Sequence, residues 1–133
     1  MYLPKEGIVC AGDLVVWPVP LVGTTSHPAE FAAALERLIA LKPAVIIPGH
    51  GPVMRDDSYV RLEARMLASL KQQAEAAVAR GETLEAARKS VNLEEFRKLF
   101  AGDSRFKSFV FANYVTSSGV AAAYREAAEA KKP

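Results

Sequence analysis

The spacing of apolar positions changes character once along this chain, near Pro52. Before that point the apolar residues come in short β-branched runs, and after it they recur every three or four residues. The stretch YLPKEGIVCAGD reads as two strands joined by a tight turn at Pro4-Lys5-Glu6-Gly7. LVVWPV predicts a further strand, interrupted by Pro18 and Pro20. Pro28 suits the first position of a helix, with His27 or Ser26 as its cap. Phe31, Leu35, Leu38 and Ile39 give that helix one apolar stripe, and Lys42-Pro43 end it. Val45, Ile46 and Ile47 then form a short buried strand that Pro48 should stop, because proline cannot donate a ladder hydrogen bond.

The remainder follows helical periods. Asp56, Asp57 or Ser58 can cap a long helix whose buried side runs through Val60, Ala64, Leu67, Leu70 or Lys71, Ala74 and Val78, with Gly81 as its stop. Met66 and Leu67 belong to the same seam. A short helix follows Thr83. In NLEEF, Asn92 is the cap and Glu95 lies three residues on, ahead of an apolar face of Leu93, Phe96, Leu99 and Phe100. A last helix is expected over about Phe106 to Ala128, rich in aromatics near Phe109, Asn113 and Tyr124, with Gly119 as a weak point. The fold expected is therefore α/β: a small sheet with helices in residues 1–53, then a helical region over 54–133 packed on the same core.

Composition narrows the function classes. The chain has 133 residues, half of them hydrophobic, enough for one domain with a core. Seventeen basic and 15 acidic residues give a formal net charge of +2, which supplies no electrostatic case for nucleic acid. The terminal Lys131-Lys132 pair is too short for a basic tail. One cysteine excludes an intramolecular disulfide. Neither a signal-peptide pattern nor an apolar run long enough to cross a membrane is present, so a cytoplasmic location is the default expectation.

Two positions carry candidate chemistry. His50 in VIIPGHGPV is held between glycines and prolines where a strand runs out, a common way to present a ligand on a scaffold. Asp13 in CAGDLV follows a glycine at the end of an apolar strand, so both residues could meet on one rim of a sheet. Carboxylate and imidazole suit zinc, iron or manganese. The plainer reading makes each a turn residue satisfied by backbone hydrogen bonds. His27 reads as a cap or surface histidine, Trp17 as core or interface, and Asp56 and Asp57 as caps. Cys10, three residues before Asp13, would point to the opposite face of a straight strand and reads as a core thiol. Ser117 and Ser118 lack a nucleophile-elbow context.

EGIVCAGDLV, SHPAEFAAALERLIALKPAVIIPGHGPV and the helical tail together resemble the C-terminal half of a metallo-β-lactamase-superfamily protein. The resemblance implies that Asp13 matches the aspartate that bridges the metals and His50 the histidine that binds one of them. It covers residues 2 to 53, and the later helices resemble the C-terminal extension of some hydrolases of the family. The family's His-x-His-x-Asp-His signature lies in its N-terminal half, and this sequence, with only His27 and His50, does not contain it. A catalytic zinc normally takes three protein ligands, so the isolated monomer should bind metal poorly.

The resemblance implies a metal-dependent hydrolase, with zinc the expected metal, completed by a complementary N-terminal half or by a second copy of this chain. Two copies would bring two Asp13 and two His50 around a two-fold axis. Half of a two-sheet sandwich leaves a sheet face and an edge uncovered, so the chain should pair with itself, pair with the missing half, or rearrange its helices to cover the sheet. The alternative readings are a non-catalytic binding or assembly module that kept the scaffold, and a fragment of a longer protein. β-Lactams, lactones, thioesters, carboxylic esters and phosphoesters all remain open as substrates.

Overall fold

The chain follows itself back at Pro4–Gly7, and the short strand β1 (Tyr2–Leu3) pairs antiparallel with β2 (Ile8–Val16). In this computed structural model, which describes residues 1–131, a helix α1 (Pro28–Ala40) then carries the chain over to β3 (Val45–His50), parallel to β2. The sheet order is β1-β2-β3. Lys132 of the terminal lysine pair lies outside the described residues.

Two strand boundaries differ from the sequence expectation. LVV is no separate strand; it continues β2, which is broken in register rather than in backbone. Pro48 does not stop β3, which runs on to His50. Beyond the bridge that joins Ile46 to Met54, the outer edge of β3 has no further partner among the described residues, so the missing proline N–H leaves no ladder bond unmade there.

The helices follow their predicted periods closely. Pro28 opens α1, but His27 makes no side-chain cap; the carboxylate of Glu126 accepts the Ala29 N–H at 3.0 Å instead. The long helix α2 (Ser58–Ala79) begins where Asp56 Oδ1 accepts the Ser58 N–H at 2.9 Å. Thr83 caps α3 (Leu84–Ser90) through the Ala86 N–H. Asn92 accepts the Glu94 N–H at 2.9 Å just ahead of α4 (Glu94–Ala101), one residue outside the cap position. Leu99, expected on the apolar face of α4, is exposed, and Phe96 and Phe100 carry that face. The last helix is one run with a π-helical segment inside it: α5 (Arg105–Phe111), Ala112–Ser117, then α6 (Ser118–Ala130).

The π segment has a structural use. Widening the helix takes a carbonyl out of the usual ladder, and that of Tyr114 accepts the Val22 N–H at 2.9 Å. The Ser118 hydroxyl donates to the Val22 carbonyl, so both backbone groups of this fully buried valine are bound to the last helix. Gly119 is a point of close approach rather than of weakness. A Cβ there would lie 3.1 Å from a Leu70 methyl and 3.4 Å from one of Val22.

One apolar core spans both parts of the chain. It joins Val9, Val15 and Ile46 from the sheet to Leu35 and Leu38 of α1, Val60, Leu67 and Leu70 of α2, and Val120 of α6. The opposite face of the β2–β3 pair carries Ile8, Cys10, Val45 and Ile47, none of them fully buried. Among the described residues, no helix is long and apolar enough to cross a membrane.

Candidate functional site

Asp13 and His50 are brought together by an irregularity in the sheet. The ladder pairs Cys10 with Ile47, Gly12 with Pro48 and Val16 with His50. From Gly12 to Val16 the chain advances four residues on β2 against two on β3, so the stretch around Asp13 must bulge. Gly12 takes φ +58°, a left-handed angle that glycine adopts without strain. The sequence placed Asp13 at a strand end; it sits instead within β2, and the bulge carries its carboxylate across the strands toward His50.

The glycine on one side of His50 is fixed by that approach. A Cβ on Gly49 would collide with Asp13 Oδ1 and lie 2.7 Å from the Gly12 carbonyl carbon. Gly51, on the other side, has φ +106° and faces Trp17, whose Cβ would be 2.6 Å from an added Cβ. The Trp17 N–H donates to the His50 carbonyl at 3.1 Å, extending the ladder past the bulge. From below, the Tyr59 hydroxyl of α2 donates to the Val16 carbonyl at 2.5 Å. The rim is therefore held to the core by backbone and side chain alike.

The geometry of the pair distinguishes two uses. His50 Nε2 and Asp13 Oδ1 lie 3.4 Å apart, with side chains 69% and 70% exposed. A charge-assisted hydrogen bond would close to about 2.7–2.9 Å. Two ligands of one tetrahedral ion, each about 2.1 Å from it, would stand about 3.4 Å apart. The separation is longer than a charge-assisted hydrogen bond and is compatible with two atoms on one ion. Among the described residues, no group of three or more His, Cys, Asp or Glu side chains could hold a metal. Asp13 and His50 thus stand as a pair, with no third such side chain grouped with them among the described residues.

The other sequence candidates fall elsewhere. His27 stands 4.0 Å from Glu126 at the start of α1 and joins no metal-ligating group. Cys10 is half-buried and pairs with Ile47 on the face away from the core. It is not the core thiol expected, because its neighbour Val9, not Cys10, points inward. Asp57 holds Arg61 through two contacts at 2.7 and 2.9 Å. Ser118 is spent on the Val22 carbonyl.

Beside His50 the structure opens a cleft of about 310 Å³. Trp17, Pro18, Phe106, Lys107 and Tyr114 line it together with His50, so β2, β3 and the last helix all contribute. Trp17 is 43% exposed and forms a wall of this cleft rather than core. The Lys107 ammonium stands 5.5 Å from the Trp17 ring centroid. The aromatic and cationic positions on α5 could not be assigned to the site from sequence, since nothing local ties residues 106–114 to residue 50.

A second unforeseen group is Glu63, on α2 and fully buried, with no hydrogen-bond partner for either carboxylate oxygen. Burial pushes its carboxyl up to about 8. Burial first, and Glu63 second, push the Tyr59 hydroxyl well above the usual phenol range. The sequence did carry this signal: position 63 falls three residues after Val60 and four before Leu67, on the buried seam.

No protein-family model matches the chain, and no curated protein matches it.

Proposed function

We infer that this chain contributes Asp13 and His50 to the metal centre of a hydrolase related to the metallo-β-lactamase superfamily, and that the remaining ligands come from a complementary N-terminal half or from a second copy of the chain. The 3.4 Å separation of Asp13 Oδ1 and His50 Nε2 carries this reading. It is the spacing of two ligands on one ion, at a rim where Gly49 and Gly51 admit no larger residue. A divalent ion such as zinc, when bound, supplies Lewis acidity that polarises a carbonyl or phosphoryl oxygen and eases deprotonation of water. The chain's own residues do the rest. Asp13 and His50 fix the reacting centre at the rim, and the apolar walls of the cleft hold the substrate body and exclude bulk water. A net hydrolysis then adds one water across an acyl or phosphoryl bond.

Completion by a second copy would place two Asp13 and two His50 around a two-fold axis, enough for a tetrahedral shell. The open face with Ile8, Val45 and Ile47 gives an associating surface to either kind of partner. The second reading, a binding or assembly module without catalysis, keeps the cleft and needs no ion.

The test is native mass with metal content on the purified chain, followed by hydrolysis assays on ester, lactone, phosphoester and β-lactam substrates. A species larger than the monomer that retains zinc and hydrolyses one of these classes supports the proposal. A metal-free monomer, inactive on all four classes and unchanged by added zinc, removes the homodimer form. If the N-terminal half also restores no activity, the hydrolase reading falls.

A further inference from the structure

We propose that the cleft beside His50 selects a small anionic molecule, a carboxylate attached to an apolar body, and that Lys107 is the residue that reads its charge. This deepens the hydrolase reading and rests on it only in naming that molecule a substrate. Three observations carry the inference. First, about 310 Å³ lies at the small end of the range of about 300–1,000 Å³ typical of ligand pockets, which bounds the occupant to a small molecule. Second, the lining is almost wholly apolar, with Trp17, Pro18, Phe106 and Tyr114 exposing flat surfaces to it. Phe106 is 75% exposed and Trp17 43%, so their faces are free to take an occupant.

Third, the one full cation in that lining is Lys107, and it forms no ion pair among the described residues. Its ammonium rests over Trp17, at 5.5 Å from the ring centroid. The indole thus holds the charge at the cleft wall without neutralising it. A point charge set among apolar walls attracts an anion more strongly than one in open water, because less water screens the pair. His50 lines the same cleft as Lys107, so an occupant held by Lys107 shares the cleft with one member of the Asp13–His50 pair.

The probes are 4-phenylbutyrate and its neutral amide, 4-phenylbutyramide, titrated into the full 133-residue chain. Trp17 is the sole tryptophan, so its fluorescence reports on the cleft directly, and ligand-observed NMR supplies a second readout. The carboxylate should bind at least about tenfold more tightly than the amide, the factor expected of one charge-assisted contact. Lys107→Met should erase that preference, and Lys107→Arg should restore it. Equal binding of acid and amide, or a preference that survives Lys107→Met in a protein with an unchanged circular dichroism spectrum, overturns the proposal. Zinc retention measured on the same samples reports separately on the hydrolase reading. Carboxylate selectivity without zinc retention leaves the cleft assignment standing and counts against the metal centre. Zinc retention without selectivity overturns the cleft assignment alone.

Discussion

Glu63 offers a quantitative check on the core. Its carboxyl is fully buried with both oxygens unpartnered, and burial raises its pKa from 4.5 to about 8. The proton is therefore held more tightly in the folded chain than in the unfolded one. Stability is complete below the unfolded value and falls as pH rises through the folded value. A rise from 4.5 to about 8 corresponds to about 5 kcal/mol lost across that window, an order-of-magnitude figure. Asp56, Glu82 and Glu94, lowered chiefly by side-chain hydrogen bonds, act in the opposite sense. Their contributions are lost only as pH falls below the ordinary carboxylate range, outside this window. Urea denaturation followed by circular dichroism from pH 4.5 to 9 reads the slope. Wild type should lose stability steadily up to pH 8, and Glu63→Gln should be nearly flat over the same interval. Glu63→Leu, which removes both unsatisfied oxygens, should exceed wild type at pH 8. Parallel curves for wild type and Glu63→Gln would refute the argument and mean that Glu63 is solvated in solution.

Three further outcomes test the packing that holds the site. Gly49→Ala should keep the helical circular dichroism signal yet weaken zinc binding by about tenfold or more, because its Cβ drives Asp13 away from His50; unchanged affinity would mean that the bulge yields freely. Tyr59→Phe should cost about 1 kcal/mol in urea denaturation by leaving the Val16 carbonyl without its donor, and a neutral result would count against that bond. Leu67→Ala, in a fully buried position on α2, should cost about 2–5 kcal/mol, against less than about 0.5 kcal/mol for Leu99→Ala on the exposed side of α4.

Much of this structure is legible in local patterns. Period-3.6 stripes located α1 and α2 because Leu35, Leu38, Val60 and Leu67 bury what their spacing says they should. The Pro4–Gly7 turn and the capping Thr83 are equally local. What escaped depends on tertiary context. Pro48 stays in β3 because the strand's far edge lacks a partner at that point, which no property of the residue reveals. The β2 bulge is a relation between two strands, and without it Asp13 reads as a strand-end residue. The cleft joins His50 to Phe106, Lys107 and Tyr114 across more than 50 residues of chain, a contact that exists only once the last helix has docked on Val22. The π segment that permits this docking follows no period in the sequence.

The central claim is that Asp13 and His50 form two positions of one metal shell, and zinc titration of wild type, Asp13→Ala and His50→Ala tests it most directly. Run by calorimetry near neutral pH, wild type should bind zinc, weakly as a monomer and more tightly in any larger assembly. Each substitution should reduce the affinity by about tenfold or more, since a single remaining ligand cannot hold the ion. Equal zinc affinity in all three proteins would contradict the account and return Asp13 and His50 to the role of two residues that meet at a sheet rim.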